Sequence, residues 1–93
     1  MTTNVKISGG FSGTGQSSSG FVFGDFNVSI SGGVGTVVLE RSFDGSTWVD
    51  VKTYTAESSE RGKEIESDVQ YRFNCTVYTS GTISYRLSQN DAN

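Results

Sequence analysis

With 93 residues, the chain is long enough for one two-layer core and too short for a second domain. It has no histidine and one cysteine, which removes the commonest general base and most soft metal ligands, and its net charge of −3 argues against nucleic acid as a partner. No stretch has the length of a membrane-crossing helix, and Met1-Thr2-Thr3-Asn4 lacks the basic and apolar regions of a secretion signal, so no membrane partner and synthesis in a cytoplasm are expected.

Taken in order, Asn4 to Ser8 alternates Val5 and Ile7 and reads as a short first strand. From Ser8 to Gly20, ten of thirteen residues are Gly or Ser and only Phe11 is apolar. That composition predicts a flexible loop or arm with nothing to bury. Phe21 to Ser31 is the next strand region. Phe21 and Phe23 share one parity while Phe26, Val28 and Ile30 share the other, so a bulge at Gly24-Asp25 is expected to return both sets to one face. Ser31-Gly32-Gly33 then turns the chain.

Thr36 to Tyr54 reads as a hairpin around Phe43-Asp44-Gly45, with glycine in the left-handed position. That register sets Val37 against Val51, Leu39 against Val49 and Arg41 against Thr47, and leaves Trp48 beside Glu40 on the opposite face. A two-residue Asp44-Gly45 turn is the rival, placing Leu39 opposite Asp50. Ala56 to Asp68 reads as an acidic connector, because five acids and two bases fall between Glu57 and Asp68 while the remainder is neutral. Within it, Glu64-Ile65-Glu66 is a possible short strand with Ile65 inward.

Val69 to Gln89 carries the clearest pattern. Val69, Tyr71, Phe73, Cys75 and Val77 alternate with polar residues, as do Ile83, Tyr85 and Leu87, around a Thr79-Ser80-Gly81 loop. Closed as a hairpin, it pairs Val77 with Ile83, Cys75 with Tyr85 and Phe73 with Leu87. Cys75 is then a small buried filler and cannot form an intramolecular disulfide. Asn90 to Asn93 is a polar tail. Six to seven short strands with Gly-rich turns predict one all-β domain over residues 1–93, an antiparallel β-sandwich of immunoglobulin-like or jelly-roll-like kind, with a small barrel as the alternative.

No catalytic, cofactor or metal site is expected. Ser42-Phe43-Asp44-Gly45-Ser46-Thr47-Trp48 is one residue short of the Asp-box pattern and occurs once, where a propeller would repeat it. The acidic run lacks the spacing of a calcium loop. Glu40 and Asp50 are the nearest approach to a hydrolytic carboxylate pair, in a chain with little room for a cleft. Asn27-Val28-Ser29 and Asn74-Cys75-Thr76 match the glycosylation acceptor pattern by chance, given the missing secretion signal. The exposed row of Arg72, Asn74, Thr76 and Tyr78, with Ser84 and Arg86 beside it, is a candidate carbohydrate- or protein-binding platform, the alternative being a second buried or partner-covered face.

Val38-Leu39-Glu40-Arg41-Ser42-Phe43-Asp44-Gly45-Ser46-Thr47-Trp48-Val49, with Tyr71-Arg72 and the run Tyr78 to Gln89, resembles the small β-rich virion proteins of tailed bacteriophages, over roughly residues 35–89. The resemblance implies a non-enzymatic capsid decoration or cement protein. It would sit on the capsid surface of the virion, made in the host cytoplasm, and bind the major capsid protein or other virion proteins as an oligomer or in many copies. A tail or head-to-tail connector component is the other role it implies. The residues expected to meet a partner are Gly9, Gly10, Phe11, Gly13 and Gly15 of the arm, Glu57, Glu60 and Arg61 of the acidic segment, and Arg72, Tyr78 and Arg86.

Overall fold

The computed structural model describes residues 6–89, which form seven strands and no helix: β1 (Lys6–Phe11), β2 (Gly15–Gln16), β3 (Gly20–Ser31), β4 (Val34–Ser42), β5 (Val49–Tyr54), β6 (Ser58–Ser80) and β7 (Ile83–Ser88). The protein is all-β, as expected. Val5 and the Asn90–Asn93 tail lie outside the described residues.

Every pairing is antiparallel, and neighbours run in the order β1-β7-β3-β6-β4-β5, with β2 alongside β6. One hydrogen-bonded sheet supplies two layers because β6 belongs to both. Its residues 58–64 and 69–71 pair with β3 and its residues 70–80 with β4. Layer one is β1, β7, β3 and the first half of β6; layer two is the second half of β6 with β4, β5 and β2.

The fold line lies in a large bulge. Val22 faces Val69 and Gly24 faces Glu64, so Phe23 alone stands opposite the four residues 65–68. Asp68 has φ 65°, and among the described residues it is the only non-glycine with positive φ. The extra residues bend the strand and change which parity faces the core. Glu64 is inward before the bulge; Val69, Tyr71, Phe73 and Cys75 are inward after it. The core lies between the layers, where Phe73 meets Tyr85 with ring centroids 5.0 Å apart and Phe26 meets Tyr71 at 5.2 Å.

The Phe73–Tyr85 contact corrects the hairpin expected over Val69–Gln89. The inner rows are largely as expected, and Gly81 is left-handed with φ 74°. The turn, however, carries the chain from one layer to the other. β7 pairs with β1 and β3, setting Leu87 against Ile7 and Val28, while Phe73 and Tyr85 face each other across the core. Gly33, with φ 58°, makes the matching corner between β3 and β4, and a Cβ on Gly81 would lie 3.0 Å from its Cα. Two corners packed this closely admit no side chain between them. Val77 is exposed, because Thr76 is an extra residue between the pairs Val37–Cys75 and Thr36–Val77; the slip turns Tyr78 toward the core instead.

The β4–β5 hairpin forms in a third register. Val37 faces Tyr54, Leu39 faces Lys52, and Arg41 faces Val49, with a bulge between Leu39 and Glu40. Both expected registers are displaced because the loop is longer. Asp44 Oδ1 accepts from the Ser46 and Thr47 amides at 2.8 Å, and Ser42 Oγ accepts from the Gly45 amide at 2.8 Å, so side chains close the loop where ladder bonds were expected. These donors, the Thr47 amide foremost, lower the Asp44 carboxyl to about 2. Val49 and Val51 are exposed, and β5 gives the core only Tyr54.

Three further expectations are corrected. The bulge expected in β3 lies in β6 instead, so Val22, Phe26, Val28 and Ile30 are buried while Phe21 and Phe23 face out. The Gly/Ser arm is built into the sheet as β1 and β2, and Phe11 is buried against Tyr85 with centroids 4.6 Å apart. Glycine makes this possible: the Tyr85 ring lies over Gly9, where a Cβ would meet its hydroxyl at 2.7 Å. The acidic connector is mostly strand, and Ile65 points outward with Glu64 inward in its place.

Candidate interaction site

The bend in β6 also creates an exposed apolar corner. Phe21 and Phe23 share the outer face of β3 at 59% and 63% exposure, and Ile65, at 78%, sits in the bulge opposite Phe23. Gln89 holds the strand open here. Its side chain accepts from the Phe23 amide at 3.4 Å and donates to the Phe23 and Asp25 carbonyls, partnering backbone groups of β3 beyond the end of its pairing with β7. Phe43 is exposed nearby, with the Arg41 guanidinium 4.8 Å from its ring centre.

Beneath the corner is a buried ionic cluster. The Glu64 side chain is 3% exposed and accepts from the Tyr71 hydroxyl at 2.7 Å, the Glu66 amide at 3.0 Å and Arg41 Nη2 at 3.0 Å. Burial alone would raise this carboxyl, but the bonds from Tyr71, Glu66 and Arg41 together hold it below the usual range. Burial, reinforced by Glu64, pushes the Tyr71 hydroxyl well up. Both groups keep one protonation state at neutral pH, which suits a fixed strut under the bulge. The partly exposed Arg41 also reaches Glu66, at 3.5 Å.

A second polar cluster covers the outer face of layer two. Arg72 Nε donates to Glu40 at 2.8 Å, Asn74 donates to the other Glu40 oxygen at 3.1 Å, and the Arg72 guanidinium lies 4.2 Å from the Trp48 ring centre. The expected nearness of Trp48 and Glu40 is thus real, with Arg72 between them. Glu40 is buried and bonded to Arg72, and Asp50 is its exposed cross-strand neighbour.

The residues expected to meet a partner do not gather in one place. Gly9, Gly10 and Phe11 are in β1, Gly13 is in the following turn and Gly15 is in β2. Glu57 is exposed before β6. Glu60 points between the layers, 3.7 Å from Lys52 and beside Tyr54, whose hydroxyl is raised by burial and by Glu60. Arg72 is held in the Glu40 cluster on layer two. Tyr78 packs against the core and donates to the Gly81 carbonyl at 2.6 Å. Arg86 faces out from layer one, opposite Ser8 and Ser29, so the expected Arg72–Tyr78–Arg86 platform is dispersed over three faces. Sequence reasoning places Phe21, Phe23 and Ile65 inward; for the two phenylalanines the parity conflict with Phe26, Val28 and Ile30 is the signal that could have found them. Among the described residues no group of three or more potential ligands could hold a metal ion.

The chain matches no protein-family model, and no curated protein sequence is significantly similar to it.

Proposed function

We propose that this chain is a non-enzymatic structural protein of a tailed-phage particle, which decorates or cements the capsid by binding neighbouring major capsid subunits in many copies. The observation that carries the binding part is the apolar corner. Phe21, Phe23 and Ile65 are held outward by the β6 bulge, on a domain small enough that these side chains would ordinarily be used in its core. The resemblance of residues 35–89 to phage virion proteins supports the setting. Covering a large apolar side chain contributes about 1.5–3 kcal/mol at full burial, so three partly covered ones give a modest contact per copy. Repetition on a symmetric shell makes such contacts sufficient.

The corner, and not the Gly/Ser arm, is taken as the contact, since β1 is docked on β7 and β2 on β6 as parts of the domain's own sheet. The test is copy number per purified particle, by quantitative mass spectrometry against the major capsid protein, with wild type and with Phe21→Ser/Phe23→Ser. A ratio close to that of capsid subunits, lost in the variant, is expected. A small fixed number per particle would move the protein to the tail or head-to-tail connector. Absence from particles, or a variant that decorates normally, overturns the proposal.

A further inference from the structure

The seven Lys and Arg residues are not spread evenly over the two layers. Arg41, Lys52 and Arg72 each sit in an ion pair. The other four, Lys6, Arg61, Lys63 and Arg86, are exposed, and among the described residues none has an ion-pair partner. Cross-strand register puts all four on the outer face of layer one. Arg61, Asn27, Ser88 and Lys6 form one row across four strands; Ser59, Ser29, Arg86 and Ser8 form the next; Asp25 and Lys63 begin a third. With strands about 4.8 Å apart, the first row spans roughly 14 Å.

Four cations against Asp25 make this face +3. The remaining three cations and eight carboxylates of residues 6–89 leave −5 elsewhere. The division follows from strand alternation: in Glu60-Arg61-Gly62-Lys63-Glu64 the acids point in and the bases out. Around its charged groups the face is Ser, Gly and Asn, short side chains that let another backbone approach, and it ends at Phe21 and Phe23 on the same side of β3. A shallow groove of about 560 Å³ lies between Asp25, Asn27, Arg61 and Lys63, over Phe26 and Gly62.

We infer that the outer face of layer one is a docking surface for an acidic, extended polypeptide segment of a partner protein. Charge complementarity selects an acidic partner. Spacing selects an extended chain: alternate residues of a strand repeat every ~6.8 Å, so carboxylates on one side of such a segment match the Arg61–Lys63 repeat. Nucleic acid fits less well, because the face carries Asp25 beside Lys63 and the chain as a whole is acidic, with a net charge of −3. The virion reading rests on the apolar corner at one end of this face, and the charge variants below leave Phe21 and Phe23 in place.

The test uses fluorescently labelled poly-L-glutamate as probe and a duplex DNA oligomer as competitor class, read by anisotropy with the full chain. At low salt, about 50 mM, the protein binds poly-L-glutamate more tightly than DNA, and binding falls steeply by about 300 mM. Arg61→Ser/Arg86→Ser weakens it about tenfold, whereas Lys52→Ser, which removes a cation from the other layer, changes it by less than about twofold. Thermal melts establish that the variants fold; Lys6→Ser/Lys63→Ser serves should the first pair not. No binding at low salt, binding indifferent to the face variants, or tighter binding to DNA overturns the inference.

Discussion

The two halves of β6 are one strand with two grammars. Residues 69–75 alternate apolar with polar, and the apolar set enters the core. Residues 60–64 alternate acid with base, and the same backbone pleat sends the acids inward and the bases to solvent. Alternation of charge sorts side chains as strictly as alternation of hydropathy, because both follow from the two-residue repeat of the strand. What differs is how the inward set is stabilised: the apolar half by packing, the charged half by specific partners such as Tyr71 and Arg41 for Glu64.

The largest test of that contrast is Phe73→Ala. The side chain is fully buried against Tyr85 and Leu39 is its cross-strand neighbour, so denaturant unfolding should lose about 3–5 kcal/mol. In the charged half, Glu64→Ala leaves the Tyr71 hydroxyl and Arg41 without their shared acceptor. Because Arg41 is about a quarter exposed and partly solvated, the expected loss is smaller, about 2–3 kcal/mol.

The two losses should also separate by pH. The Glu64 carboxyl titrates lower folded than its ordinary 4.5, so its contribution is complete above that value and is lost as pH falls through the folded pKa. Acid melts of Phe73→Ala should keep the wild-type slope below pH 4.5, and those of Glu64→Ala should be flatter; equal slopes would mean the cluster contributes no linkage. The smallest effect is expected at the hinge between the halves. Asp68→Gly removes a side chain from a left-handed backbone position and should stabilise by about 0.5 kcal/mol, whereas a loss would show that Asp68 holds the bulge by its side chain.

Legibility followed the same division. The buried rows Val69–Cys75 and Ile83–Leu87 were readable, as were left-handed Gly45 and Gly81, since each reflects local geometry. The charged half was taken for a connector because its periodicity is in sign rather than hydropathy. The apolar corner was hidden by a sound-looking inference, that two phenylalanines of the wrong parity need a bulge in their own strand. The bulge exists, but in the partner strand, where it exposes them.

Composition and alternation by themselves determined that this chain is all-β, which residues of its best-patterned strands face a core, and where glycine must turn the backbone. Only the tertiary structure decided which strands pair, that the Thr79–Gly81 turn crosses between layers, and that four exposed cations share one face. Side-chain direction is a property of each strand's own pleat, whereas pairing joins residues far apart in the chain. A left-handed glycine serves a hairpin and an interlayer corner equally well, so the choice falls to packing, here of Phe73 against Tyr85 and Phe11 beneath it.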